Sequence, residues 1–134
     1  MKKHPLLLLV LVLASCAGMM NSHRMKAAQR KMLDTRTLQQ AGQWEDALAM
    51  ADRMHSSVSK SVTAAPMHKT ASGAEVDLRP LLAAWTNGPL TELRKALKKH
   101  DSTGSTKAFA SLRQQCVNCH TVLGTVTAEV SELP

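Results

Sequence analysis

The run Thr106-Lys107-Ala108-Phe109-Ala110-Ser111-Leu112-Arg113-Gln114-Gln115-Cys116-Val117-Asn118-Cys119-His120-Thr121-Val122-Leu123-Gly124 carries most of what this sequence says about its fold. Phe109, Leu112, Cys116, Cys119, Leu123, Val126 and Val130 recur at alternating spacings of three and four, the period of one helix face. The spacing predicts a long helix over about 106–130, with both cysteines on its core-facing side. Three further helical segments are read upstream from period and punctuation. The first spans about 21–41, with Asn21 or Ser22 as N-cap, Gly42 as its stop, and Met25, Ala28, Met32, Leu38 and Ala41 along a loose apolar stripe. The second, about 43–64, places Trp44, Ala47, Leu48, Ala51, Met54, Val58 and Val62 in register, and Pro66 ends it. The third, about 89–100, presents Leu90, Leu93 and Leu97. Residues 66–76 read as a loop, 77–85 as a short helical turn with Pro80 near its start, 87–89 as a break and 102–105 as a turn. Four amphipathic helices joined by short links predict an all-α, antiparallel four-helix bundle, in which cofactor sites are built on facing helices.

Within that run, Cys116-Val117-Asn118-Cys119-His120 has the C-x-x-C-H spacing to which c-type haem is attached. Cysteines three apart on a helix point the same way, so Cys116 and Cys119 can each form a thioether with a haem vinyl group. His120 follows at once and brings an imidazole under the iron as proximal ligand. The chain holds only three cysteines, and the pattern would arise by chance in about one such chain in a thousand, so one covalent haem c is the expected cofactor. Competing readings are a thioredoxin-like redox pair, half of a zinc site completed by histidines such as His68 or His100, and a structural disulfide. The first wants a βαβ pattern, the second lacks another C-x-x-C, and the third suits cysteines on a continuous helix poorly.

Composition points the same way. There is no Tyr, one Phe and two Trp against eight Met, which favours helices over sheet. A haem would supply flat apolar surface that aromatic side chains usually provide. At the N-terminus, Lys2 and Lys3 precede an apolar run from Leu6 to Leu13, too short to span a bilayer but suited to a signal peptide. It leads into Leu13-Ala14-Ser15-Cys16, which resembles a bacterial lipobox. That resemblance implies cleavage before Cys16, lipid on its sulfur and amino group, and a protein held on the bacterial cell envelope facing the periplasm. Ala17 and Gly18, with no Asp after the cysteine, lean towards the outer membrane. An ordinary signal peptide cut nearby is the alternative. Export also suits covalent haem attachment, which bacteria carry out beyond the cytoplasmic membrane. The expected organisation is a signal peptide over 1–15, a lipid-anchored linker over 16–21 and one domain over 22–134. The formal charge of +7 becomes +5 without Lys2 and Lys3. It suits a solvated helical surface, an acidic redox partner or anionic headgroups. Nucleic acid is not an expected partner, because no recognition motif occurs.

On these residues the chain resembles the class II c-type cytochromes, the cytochrome c′ family. The haem motif lies in the last helix, Phe109 stands seven residues before Cys116, and Gly42-Gln43-Trp44-Glu45-Asp46-Ala47 matches the family's glycine-containing link between the first two helices. The sequence departs from the pattern after His120, where Thr121-Val122-Leu123-Gly124 offers neither the usual aromatic nor a basic residue. The resemblance implies haem packing by Phe109 and Leu112 and a first helix on the distal side of the iron. It also implies a possible homodimer through the first two helices. Counting from Gly42 puts the family's distal ligand at or next to Met25, whereas counting from the expected helix ends favours Met32. His23 is a further candidate, and core packing is the ordinary role of either Met. A Met ligand implies a single-electron carrier working with redox partner proteins rather than an enzyme. An open distal site implies a five-coordinate protein that binds NO or CO. Peroxidase-like chemistry rests only on His23 and Arg24.

Overall fold

A computed structural model describes residues 4–124, with side chains from Met20 to Gly124. It is mostly helical and compatible with an all-α fold. The elements run α1 (His4–Gln40), α2 (Trp44–Ala64), β1 (Met67–Lys69), β2 (Glu75–Asp77), α3 (Arg79–Trp85), a π-helical turn (Thr86–Leu90), α4 (Thr91–Lys98) and α5 (Ser102–Leu123). Val126 and Val130, the last two residues of the expected stripe, lie outside the described residues.

α1 does not start at Asn21 or Ser22, as the sequence led one to expect. It runs through them from His4, because no proline intervenes between Pro5 and Pro66 and the Leu- and Ala-rich leader is itself a good helix former. The Asn21 side chain is used elsewhere, accepting a hydrogen bond from Arg24 Nη1 at 3.1 Å. Gly42, at φ 72°, takes the left-handed conformation that turns the chain from α1 into α2. These two helices form the most extensive pair in the molecule, and Lys31 Nζ donates to Ser57 Oγ across them at 2.6 Å.

The segment expected to be a plain loop contains a small antiparallel hairpin. Met67 pairs with Asp77, His68 with Val76 and Lys69 with Glu75, and Gly73 at φ 86° makes its turn. Short strands of this kind carry little periodic signal, which is why composition gave no hint of them. Leu78 N–H donates to Pro66 O at 2.8 Å and closes the hairpin onto the start of α3.

The expected break at 87–89 is a kink rather than an interruption. Pro89 has no N–H for the turn behind it and its ring crowds that turn, so the helix widens over five residues and Gly88 leaves helical geometry. Thr91 Oγ1 donates to Thr86 O at 2.8 Å and repairs part of the ladder. Residues 102–105 are also helical instead of a turn. Asp101 caps α5 by accepting from Gly104 N–H at 2.8 Å, and Gly104 lets that carboxylate approach. His100, in the left-handed region at φ 53°, ends the α4 side of this connection and stacks on Trp44 at 5.3 Å.

The core forms where these segments meet. Met32 from α1, Ala47, Ala51 and Met54 from α2, Trp85, Leu90, Leu93 and Leu97 from the kinked segment, and Ala108, Phe109 and Leu112 from α5 are all buried in one cluster. Leu93 is fully enclosed, whereas Leu33 on α1 is 48% exposed. Leu93→Ala should therefore destabilise the fold by about 2–5 kcal/mol, while Leu33→Ala should stay within about 0.5 kcal/mol of the parent. Urea unfolding followed by circular dichroism checks both.

Candidate haem attachment site

Cys116, Cys119 and His120 occupy the last two turns of α5, which Gly124 ends in a left-handed cap with its N–H directed to the carbonyls of His120 and Thr121. The helix therefore persists through the whole motif, the condition under which both sulfurs face one side. Cys116 packs against the core cluster, as does Val117. Leu112 lies one turn earlier and is fully buried. Phe109, two turns earlier, is equally buried and covered by the Arg36 guanidinium at 5.2 Å.

Full burial on α5 ends at Leu112. The helix continues for eleven residues beyond it, yet its next inward positions, Cys116, Cys119 and Leu123, are only half-buried. The facing stretch of α1 behaves alike: Met32 is enclosed, while Met25, seven residues earlier on the same stripe, is half-buried. Two helices thus continue past the end of their own core with inward faces that small or slender side chains leave partly uncovered.

The α1–α5 register follows from three contacts at the other end. Gln39 Nε2 reaches Ser102 Oγ at 3.3 Å, Arg36 Nη1 reaches Thr106 Oγ1 at 3.0 Å, and Arg36 lies over Phe109. The helices run antiparallel, so residues 21–26 of α1 come level with 116–120 of α5. Met25 falls in that interval and on the inward stripe of Ala28, Met32, Thr35 and Gln39. Met32 lies level with Phe109, inside the core. Counting from helix ends favoured Met32 because it took the first helix to start near Asn21 and the last to run to about Val130, whereas α1 starts at His4 and α5 ends at Leu123. His23 is at the right level but exposed.

Electrostatics at the cysteines argue against reactive thiols. Burial pushes the Cys116 thiol up to about 11, Cys119 adding to the shift and the nearby Trp85 indole N–H opposing it. Burial also raises Cys119. A redox-active dithiol needs the opposite, a thiolate available near neutrality. Both cysteines are free rather than paired in a disulfide. The histidines suggested for a zinc site are dispersed: His68 is on β1, and His100 stacks on Trp44 about 21 Å along α5 from the cysteines. Among the described residues no group of three or more His, Cys, Asp or Glu side chains could hold a metal ion.

Two residues that the sequence reading passed over belong to this region. Trp85 is buried, and its Nε1–H lies near the Cys116 sulfur without a properly formed hydrogen bond, so it has no partner. His55 lies 6.0 Å from Trp85, ring centre to ring centre. Arg94 Nη2 donates to its Nδ1 at 3.3 Å, which leaves the Nε2–H tautomer facing Thr86 Oγ1 at 3.4 Å. Arg94 is itself held by Asp52 at 2.7 Å. Partial burial and the Arg94 charge hold the His55 pKa below its ordinary value, against the opposing pull of Asp52. Trp85 could have been flagged as a rare aromatic in an aromatic-poor chain. His55 carried no signal, because its partners lie 31 and 39 residues away.

The residues fit a covalently held haem: two half-buried cysteines on one helix, a histidine in the next position, the buried apolar side chain of Leu112 one turn away and a buried indole N–H without a partner. Comparison with protein families, curated proteins and solved structures found no match.

Two outcomes follow. In the unattached chain, alkylation of Cys116 by iodoacetamide should be slow at neutral pH and should accelerate only as pH approaches about 11; mass mapping of the modified cysteine reads this. Because His55 has a depressed pKa when folded, its unfolded form binds a proton first as pH falls below about 6.5. Its contribution to stability should be intact above that pH and lost below it, and His55→Gln should flatten the fall in melting temperature between neutral and mildly acid pH.

Proposed function

We propose that this chain is a c-type cytochrome of class II character, a four-helix bundle resembling cytochrome c′. It would be held on the bacterial envelope by lipid on Cys16, facing the periplasm, and carry single electrons between redox partner proteins. The observation that carries this reading is the end of full burial at Leu112, one turn before a helical C-x-x-C-H whose cysteines are only half-buried.

In this reading Cys116 and Cys119 would hold the haem through thioethers, and His120 would supply the proximal nitrogen. Met25 would supply the distal sulfur. When bound, the haem provides an iron that cycles between ferric and ferrous states. The chain's own residues then set the conditions of that cycle. Burial beside Leu112 and Trp85 would lower the local dielectric, and a thioether ligand would favour the ferrous state relative to a second imidazole. The Trp85 N–H is available to a buried acceptor on the cofactor. Among the described residues no helix is long and apolar enough to cross a membrane. Electron transfer needs no substrate pocket, so the chain is read as a carrier and not an enzyme.

Protein made in a host that attaches c-type haem should retain haem after acid–acetone extraction. Cys116→Ser or Cys119→Ser should weaken that retention, and the double variant should abolish it. The wild type should be low-spin with a Met-to-iron charge-transfer band. Met25→Ala should convert it to high-spin, whereas Met32→Ala should keep the spectrum and lose about 2–5 kcal/mol of stability. A wild-type protein that is high-spin and changes on CO addition would be the gas-binding alternative, and absence of covalent haem would end both readings.

A further inference from the structure

The exposed large apolar side chains of this molecule are not scattered. Four are described, Met20, Leu33, Met67 and Val122, and all but Leu33 lie at one end. Met20 lies on α1 one turn before Arg24, Met67 opens the hairpin directly after α2, and Val122 is in the last turn of α5. The antiparallel register brings these together: Arg24 lines a shallow cleft with Lys60, Thr63 and Ala64 at the end of α2, and the α1–α5 clasp carries the end of α5 level with the residues around Met20. Among the described residues the same end bears Arg24, Lys26, Lys60 and Lys69, with Arg79 paired to Asp77 at 2.8 Å and Glu75 the other carboxylate.

We propose that this end, formed by α1 around Met20, the hairpin and the last turn of α5, rests on the anionic headgroups of the membrane that the Cys16 lipid enters. The inference builds on the reading of Cys16 as the lipid anchor and adds an orientation to it. Met20 is four residues from Cys16, a separation of about 14 Å if extended and about 6 Å if helical. An anchored molecule therefore cannot carry this end far from the headgroups. A surface so confined that is apolar at Met20, Met67 and Val122 and cationic around them matches an anionic lipid interface, with apolar side chains entering the headgroup boundary and Lys and Arg meeting phosphates. The haem motif, in the last two turns of α5, is then held on the membrane-proximal side.

Hydrogen exchange of the mature, lipidated holoprotein in phosphatidylcholine nanodiscs, with and without phosphatidylglycerol, tests this. Amides of residues 66–78 should exchange severalfold more slowly in the anionic discs, and high salt should reverse the effect. Amides of α4 should not respond. Met67→Ser combined with Val122→Ser should remove the protection, and Leu33→Ser should preserve it. Equal exchange in both discs, or protection that rises with protein concentration as a second copy would give, overturns the proposal. The mass of the mature N-terminus reads the anchor separately. If it carries no acyl chains, the anchor reading fails, and the same exchange measured on the unlipidated chain with added phosphatidylglycerol vesicles decides the surface: protection at 66–78 supports it and none overturns it.

Discussion

A clasp of polar side chains at one end of the molecule decides what meets at the other. Gln39 is buried, and a buried amide must find partners or carry an unpaired polar group. It finds them in Arg36 and in Ser102 at the first position of α5. Arg36 extends the clasp to Thr106 and spreads over Phe109. A helix is stiff along its axis, so fixing the register of α1 on α5 near Gln39 fixes it about four turns away, at Met25 and Cys116. The stack of His100 on Trp44 joins the remaining pair of connections at this same end. The haem motif therefore sits at the less tightly packed end of a frame aligned elsewhere.

That division explains the unusual composition. Where the chain packs against itself it uses Leu, Met, Ala and the single Phe, with methionines at 32 and 54 filling irregular gaps. Beyond Leu112 it supplies Cys, Val and Leu at inward positions and leaves them half-covered. Trp85 marks the boundary, its ring packed in the core and its N–H turned to the Cys116 sulfur without a satisfactory bond. An unpaired buried indole N–H costs on the order of 1–3 kcal/mol, and such a cost is tolerated where a group bound later offers an acceptor. The raised Cys116 pKa has the same origin, since a thiol placed for packing is poorly placed to ionise.

Much of this arrangement was legible in the sequence. The stripe through Trp44, Ala47, Ala51 and Met54 gave α2 its face, Leu90, Leu93 and Leu97 gave the kinked segment its own, and the spacing of Cys116 and Cys119 placed both on one helix. What escaped depended on contacts between distant residues or on competing uses of one side chain. Asn21 looked like a cap, but a cap is needed only where a helix starts, and the leader upstream is helical. Ser102 to Ser105 looked like a turn because Gly and Ser are common in turns. The same residues suit the first turn of a helix capped by Asp101, where Gly104 makes room for the carboxylate. The hairpin at 67–77 has no periodic pattern to read, and the His55 environment is assembled from three elements.

Charge and packing at the haem-motif end also constrain each other. Half-buried apolar positions at one end of a helical protein would normally invite association, and three large apolar side chains are exposed there. Cations at Arg24, Lys26, Lys60 and Lys69 oppose self-association of this surface, because two copies meeting face to face would bring like charges together. The same charges are favourable against an anionic lipid surface, where each is neutralised by counter-charge instead of repelled. Short tethering through Cys16 would then make docking effectively intramolecular, so a weak surface suffices to orient the molecule. On the proposed reading, the electron would enter and leave close to the membrane plane, and redox partners would be met there by lateral diffusion.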